Sequence, residues 1–149
     1  MRAVIQKTKR AKATVDGEIG GEIGKGLLVL LGVSVEDAEK DAVYLIGKIL
    51  NLRIFEDFED KMNLSLLDIK GGLLIVSQFT LCGDTRKGRR PSFSQAAPPE
   101  KARLLNDFFV AEAGKKVANV QTGKFQAMMD VELVNDGPVT ILLDSEKLF

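Results

Sequence analysis

The sequence has no histidine and no tryptophan, one tyrosine and one cysteine, Cys82. Without histidine the chain cannot build a Ser-His-Asp or Cys-His hydrolase, or a zinc site that needs an imidazole ligand. A single cysteine excludes disulfides within the chain and CxxC metal or redox motifs, and it fits a reducing compartment. Acidic and basic residues balance at 21 each. That balance argues against a surface that is basic overall, as in a general nucleic-acid-binding protein, but not against a local basic patch.

Long hydrophobic runs are also absent. The longest strongly apolar run, residues 27–31, is far shorter than the ~20 residues that a membrane-spanning helix requires. The basic residues near the start of the sequence are not followed by the apolar segment of a secretory signal. These patterns predict a cytoplasmic protein with no membrane partner. The 149 residues correspond to one domain over 1–149.

The strand pattern dominates the sequence. Asp16-Gly17 is a two-residue hairpin signal, residues 26–32 are typical of a strand buried on both faces, and residues 73–81 predict a central strand. Roughly seven or eight strands are expected from such runs, of which the run at 2–7 is short and mixed. The runs cover residues 2–7, 13–15, 18–19, 26–32, 51–55, 73–81, 117–121, 128–134 and 139–143.

Two helices complete the prediction of an α+β fold. The first follows Ser34, which with Asp37 makes a capping box. The second begins at Pro98-Pro99, because proline is tolerated in the first turn of a helix.

Polar residues end the predicted central strand at Ser77, Gln78, Phe79 and Thr80. Strand alternation would place Ser77 and Phe79 on one face and the other two on the opposite face. A buried glutamine must find hydrogen-bond partners, so this stretch is a candidate site. The plain alternative is a strand end that rises into solvent.

Two further stretches have both a structural and a functional interpretation. Asp136-Gly137-Pro138 is either a plain hairpin turn or, since a Gly-Pro bond can be cis, a segment with an unusual carbonyl direction. Four cations, Arg86, Lys87, Arg89 and Arg90, are suited to phosphates of nucleic acid, or they belong to a solvated loop.

No metal site is expected. The acidic residues at 56–60 match no ligand spacing and are interpreted as a solvated loop. No glycine pattern matches a phosphate-binding or dinucleotide-binding loop. Cys82 has no histidine base, so a packing role is expected.

Separated motifs resemble the D-aminoacyl-tRNA deacylase family. They are MNLSL at 62–66, SQFTL at 77–81, DTRKGRRPSF at 84–93 and NDGPVT at 135–140, together with MRAVIQ at 1–6 and GKGL at 24–27. The resemblance runs over essentially the whole chain. It implies a β-barrel-like homodimer, without a cofactor, that hydrolyses D-aminoacyl-tRNA and glycine mischarged on tRNA, such as glycyl-tRNA(Ala).

The resemblance also implies roles for particular residues. Ser77, Gln78, Phe79 and Thr80 would line the active site. Gly137 and Pro138, as a Gly-cisPro pair from the partner subunit, would reject an L side chain by clash.

The missing histidine bears on the mechanism that the resemblance implies. Backbone N–H groups near Phe79 and Thr80 would stabilise the oxyanion. We rank assistance by the 2′-OH of the tRNA above a covalent Thr80 intermediate. Two other hypotheses stay open, namely a non-catalytic RNA-binding module that uses the basic residues and a Thr80-dependent esterase of another small ester.

Two residues depart from the family pattern. Lys7 stands where the family usually has an arginine that orients the Gly-Pro pair, and lysine lacks the planar fork of arginine. Cys82 stands where the family more often has tyrosine or another larger residue, which again favours a small apolar role.

Overall fold

The computed structural model describes residues 1–148. Within them lie eight strands, three α-helices and one 3₁₀ helix. The strands are β1 (Arg2–Val15), β2 (Glu18–Ile23), β3 (Gly26–Gly32), β4 (Phe55–Glu56), β5 (Met62–Leu64), β6 (Gly72–Ser77), β7 (Val120–Thr122) and β8 (Asp130–Asp144). The helices are α1 (Glu39–Asn51), α2 (Leu66–Ile69), α3 (Pro99–Gly114) and the 3₁₀ helix Phe79–Cys82.

One curled sheet forms the body of the domain. Its order is β2-β1-β3-β6-β7, and β8 pairs with the free edge of β1. The strands β3, β6 and β7 run parallel, while β1 is antiparallel to β2, β3 and β8. Strand β2 contacts both β6 and β7, so the sheet is nearly closed into a barrel. The α+β, strand-rich prediction is confirmed, and the additional helix α2 is a single turn.

Two apolar clusters lie on the sheet. The larger one joins the inner residues of β1, β3 and β6 to α1 and α3. The smaller one contains only strand residues as its buried members. No helix among residues 1–148 is both long and apolar enough to cross a bilayer.

The turn signals were predicted more accurately than the element ends. The Asp16-Gly17 hairpin is confirmed, with both residues at positive φ, and α3 begins at Pro99. The capping box predicted at Ser34 is wrong, because α1 begins at Glu39. The Asp37 carboxylate instead accepts hydrogen bonds from the Ser34 N–H and the Met1 amino group.

Three strand predictions also need correction. Residues 51–55 are not a strand, since α1 runs to Asn51 and β4 begins only at Phe55. The central strand ends at Ser77 rather than at residue 81. The two predicted C-terminal strands are one strand, β8, which passes through residues 136–138 without reversing. A plain hairpin turn there is therefore wrong.

Candidate functional site

The first candidate segment is the 77–80 turn, defined as residues 77–80. The apolar run of β6 ends at Ser77, and the Gln78 N–H donates to the Leu31 carbonyl at 2.8 Å. The chain then turns into the 3₁₀ helix Phe79–Cys82. The predicted alternation of faces over these residues is wrong, because strand geometry stops at Ser77.

Close backbone approach holds this turn against β3. A methyl group on Gly32 would lie 2.9 Å from the Cβ of Leu81 and 3.1 Å from the carbonyl oxygen of Gln78. Both distances are shorter than ordinary van der Waals contact. Glycine at position 32 therefore sets how closely the turn packs.

Side-chain contacts, some of them partly exposed, hold the back of the turn. The Arg2 guanidinium donates to the Leu81 carbonyl at 2.9 Å and to the Asp144 carboxylate at 3.1 Å. The Cys82 thiol lies 3.6 Å from the Val33 carbonyl, and burial raises the pKa of this thiol. A packing role for Cys82 fits this position, since a raised pKa disfavours the reactive thiolate.

The front of the turn faces solvent and carries its polar groups. Phe79 and Thr80 are exposed, and the Gln78 side-chain amide donates to the Thr80 hydroxyl oxygen. Within residues 1–148, the N–H groups of Phe79 and Thr80 donate to no other protein group, as expected for the first residues of a helix. These donors are available to an oxygen that carries negative charge.

The basic loop, residues 84–92, follows directly. Asp84 and Ser92 form a β-bridge, and the Phe79 and Phe93 rings pack edge to face with centroids 5.0 Å apart. These contacts tie the base of the loop to the 77–80 turn.

The four cations of the loop are not equivalent. The Arg86 guanidinium binds Asp84 at 2.6 and 2.9 Å and lowers the pKa of that carboxyl to about 2. Lys87, Arg89 and Arg90 are exposed. Arg86 therefore shapes the loop, while the other three cations face solvent.

The second candidate segment is the Gly-Pro loop, residues 135–140. The Asn135 carboxamide accepts from the Val139 N–H at 2.8 Å and donates to the Thr140 hydroxyl at 3.2 Å. Gly137 has φ +122°, and the Gly137–Pro138 peptide bond is cis. Gly137 and Pro138 are both exposed, so the Asn135 side chain closes a protruding loop within β8.

Lys7 supports this loop from inside the domain. Its side chain is 1% exposed, and its ammonium group lies 2.5 Å from Glu56 and 3.7 Å from Asp136. The hydrogen bond from Lys7 lowers the pKa of Glu56. The exposed Lys9 lies 3.9 Å from the other oxygen of Asp136.

The two segments do not meet within one chain. Ser77 lies opposite Leu31, and Leu31 lies opposite Ala3. The Gly-Pro loop lies beside β1 residues 6–8 instead. The separation along the strands is about four residues, or ~13 Å at ~3.3 Å each, and the segments are also three strands apart across the sheet.

A cavity of about 540 Å³ lies elsewhere, between β1, β2 and β8. Its charged lining includes Arg10, Glu22 and the pair Lys12–Glu132. Neither candidate segment lines it, so the cavity adds nothing to the site.

Sequence reasoning missed three supporting residues, Arg2, Glu56 and Asn135. The sequence predicts that Glu56 belongs to a solvated acidic loop, whereas its carboxylate contacts a buried ammonium group. The sequence of β1 does contain a signal for this ion pair. Ala3, Ile5 and Lys7 are every second residue of the strand, so their side chains lie on the same face. A lysine in such a row predicts a buried charge that needs a partner.

Comparison with known proteins gives one consistent result. A family model described as D-Tyr-tRNA(Tyr) deacylase matches residues 4–144. D-aminoacyl-tRNA deacylases from Clostridium kluyveri and Koribacter versatilis are 62% and 61% identical over 149 residues, with all of both chains covered.

Solved structures agree in fold. The c-Myc DNA Unwinding Element Binding Protein superimposes with a TM-score of 0.92 at 44% identity, covering 97% of this chain and 98% of that one. A probable eukaryotic D-amino acid tRNA deacylase shares the fold, with a TM-score of 0.79 at 20% identity over 95% and 97% of the two chains. Because the match to the family model and to these relatives extends along nearly the whole chain, this protein belongs to the D-Tyr-tRNA(Tyr) deacylase family.

Proposed function

We propose that this chain hydrolyses the ester bond of D-aminoacyl-tRNA and releases the free D-amino acid and the tRNA. The observation that carries the proposal is the exposed 77–80 turn in a chain of this family. Two backbone N–H groups of this turn, beside a threonine hydroxyl, have no protein partner among residues 1–148. Glycine mischarged on tRNA, as in glycyl-tRNA(Ala), is a further substrate, because glycine has no side chain to reject.

Positioning and oxyanion stabilisation supply the acceleration in this proposal. An aminoacyl ester is already activated, so oriented binding lowers much of its barrier. Negative charge develops on the carbonyl oxygen during attack, and the N–H groups of Phe79 and Thr80 bind it in this proposal. This chemistry requires no histidine.

The attacking group is water, assisted by the 2′-OH of the terminal adenosine. The water oxygen bonds to the carbonyl carbon, the bond from that carbon to O3′ breaks, and O3′ takes up a proton. Thr80 has a supporting role, because its oxygen already accepts a hydrogen bond from Gln78. Among residues 1–148 no carboxylate or amine is hydrogen-bonded to the Thr80 hydroxyl as a base.

Gly137 and Pro138 provide chiral selection in this proposal. They enter the site of a second subunit and reject an L side chain by clash, whereas a D side chain points away. The separation of about 13 Å along the strands between the two segments of one chain supports a site completed by a second copy.

A homodimer is further supported by the surface of β8. This strand pairs with β1 on one edge, and its other edge pairs with no strand among residues 1–148. Its residues Val131 and Leu133 are half-buried beside the smaller apolar cluster. A long unpaired edge next to apolar side chains favours association with another chain.

The basic loop binds phosphates near the tRNA 3′ end in this proposal, through Lys87, Arg89 and Arg90. Replacing all three by alanine should reduce the slope of log affinity against log salt by about 2, at ~0.7 per lost phosphate contact. Filter binding at several salt concentrations measures this slope. An unchanged slope would show that the loop is only a solvated loop.

One assay tests the proposed reaction. The protein is incubated with matched D- and L-aminoacyl-tRNA, and release of free amino acid is measured. Release from the D substrate alone is the expected result. Binding without release would favour the RNA-binding module, and release of both enantiomers would rule out chiral selection.

A second pair of substrates tests the attacking group. We expect Thr80→Ala to keep most of its turnover, whereas a 2′-deoxy terminal adenosine should abolish most of it. The reverse pattern would establish a Thr80 nucleophile and overturn substrate assistance.

A further inference from the structure

Lys7 occupies a site that normally suits an apolar side chain. It follows Ala3 and Ile5, which belong to the larger apolar cluster, and its side chain is 1% exposed. Its ammonium group also lies 5.7 Å from the centre of the Phe55 ring. A buried ammonium group is costly unless it is paired and hydrogen-bonded.

The carboxylate of Glu56 is the close partner. It lies 2.5 Å from the Lys7 ammonium, whereas Asp136 is 3.7 Å away. The Glu56 backbone belongs to β4, outside the main sheet. The Glu56 carboxylate therefore determines where in the buried site the ammonium group lies, and that ammonium group faces the residue next to Gly137.

We propose that Glu56 is a positioning residue which, through Lys7, holds Asp136 and the neighbouring Gly137–Pro138 pair in place and thereby sets the discrimination between D and L substrates. This inference rests on the proposed function, in which the pair rejects L side chains. Glu56 itself need not touch the substrate.

The physical reason is that Glu56 and Asp136 compete for the single positive charge of Lys7. Lysine, unlike arginine, has no fork that can bind two carboxylates with separate, fixed N–H groups. If Glu56 loses its charge, Asp136 becomes the nearest anionic partner of Lys7. Charge-assisted hydrogen bonds contract to ~2.7–2.9 Å, so the present separation of 3.7 Å should shorten by about 1 Å and pull the Gly-Pro loop inward.

The test is the Glu56→Gln variant, which keeps the shape and removes the charge. The measured quantity is kcat/KM for D-aminoacyl-tRNA divided by kcat/KM for L-aminoacyl-tRNA. We expect this ratio to fall by roughly tenfold, because a displacement of 1 Å can cost as much as ~100-fold. A merely structural role would instead lower both values together.

Control variants test whether the effect is specific to the charge of Glu56. Two of them change Glu56 itself or Glu59, which lies between β4 and the antiparallel β5. Glu59→Gln removes a surface carboxylate whose ion-pair partner among the described residues 1–148 is Lys61, at 2.8 Å, and should leave the ratio unchanged. Glu56→Asp restores the charge and should recover part of the discrimination. If Glu56→Gln fails to fold, Asp136→Asn keeps the Lys7–Glu56 pair but weakens its link to the loop, and it should lower the ratio similarly.

The outcomes separate the two proposals. If the unmodified protein does not discriminate between D and L substrates, the proposed function fails. If it discriminates and folded Glu56→Gln has the same ratio, the positioning role of Glu56 is wrong. An unchanged ratio in folded Asp136→Asn overturns the inference in the same way.

Discussion

The two segments of the candidate site are held in place by different kinds of contact, mainly main-chain contacts for one and side-chain contacts for the other. The 77–80 turn continues a buried parallel strand. Main-chain groups of β3 and β6 provide most of its support, including the hydrogen bond from Gln78 to Leu31, and the Arg2 side chain adds one hydrogen bond from behind. The Gly-Pro loop protrudes from β8, and side chains hold it, namely Asn135 within the loop and Lys7 beneath it.

The difference shows which substitutions each segment should tolerate. A turn held mostly by main-chain contacts is sensitive to any added volume between the backbones, but less so to the identity of surrounding side chains. A loop held by side chains is sensitive to single polar substitutions.

The largest effect is expected for Gly137→Ala. A Cβ at this position would lie 2.7 Å from the Cγ2 of Val139, and φ is +122°, a conformation that L residues rarely adopt. In the proposed dimer a displaced Gly137–Pro138 pair would obstruct the substrate itself as well as discriminate between side chains, so we expect kcat/KM for the D substrate to fall about 100-fold. The fold should be retained because the loop is exposed. Deacylation kinetics and a thermal melt measure the two quantities.

Gly47→Ala is the control for this substitution. A Cβ on Gly47 would meet nothing within 4 Å, and alanine favours helix by about 1 kcal/mol over glycine. It should leave activity unchanged. Equal activity of Gly137→Ala and the unmodified protein would contradict a role for the loop.

Gly32→Ala should have the next largest effect, on the other segment. The new methyl group would press on Leu81 and Gln78 at 2.9 and 3.1 Å, which displaces the 77–80 turn. Overpacking of this kind costs about 1–3 kcal/mol of stability, and we expect activity to fall roughly tenfold. Chemical denaturation and deacylation kinetics measure the two effects.

Mixing subunits of the Gly32→Ala and Gly137→Ala variants tests whether the segments come from different chains. A heterodimer would contain one intact site, so an equal mixture should reach about a quarter of the full activity if subunits exchange freely. Activity that stays at the mean of the two variants, with exchange verified by mass, would mean that each chain builds its own site.

Asn135→Ala should have a smaller effect, because it leaves the loop backbone free of new clashes. It removes the acceptor of the Val139 N–H at 2.8 Å, and an unsatisfied buried N–H costs about 1–3 kcal/mol. We expect a lower unfolding midpoint and a several-fold loss of activity. Asn51→Ala, which removes an exposed hydrogen bond to Gly47 in α1, should leave activity unchanged.

Arg86→Ala should have the smallest effect, confined to the basic loop. Arg86 lowers the pKa of Asp84 to about 2 from its ordinary 3.8, so the charged pair stabilises the fold above pH 3.8 and this contribution is lost as the pH falls through about 2. Without Arg86 the pKa should rise towards 3.8, as an NMR titration would measure. An unmoved pKa would show that Arg86 does not hold Asp84.

Local patterns predicted the parts of the fold that depend on local physics. The Asp16-Gly17 hairpin, the buried strand β3 and the proline at the start of α3 need only turn chemistry and apolar runs. The end of β6 was misplaced, because the apolar run continues through Phe79 and Leu81 while close packing against Gly32 turns the chain.

The same distinction between local patterns and tertiary contacts applies to the candidate site. Motifs at 77–80 and 135–140 identified both segments, since their residue types suffice to mark them. The row of inward residues in β1 indicates that Lys7 needs a partner, but it does not identify Glu56, because Glu56 and Lys7 are far apart in the sequence and meet through the position of β4.

The sequence by itself determined that no histidine assists catalysis, that the chain forms a strand-rich α+β domain, and which family its motifs resemble. Only the tertiary structure decided that Lys7 is buried with two carboxylates, that Arg86 is paired with Asp84, and that the two segments lie apart in one chain. Composition and local periodicity are properties of neighbouring residues, whereas ion pairing, burial and strand register depend on contacts between residues that the fold brings together.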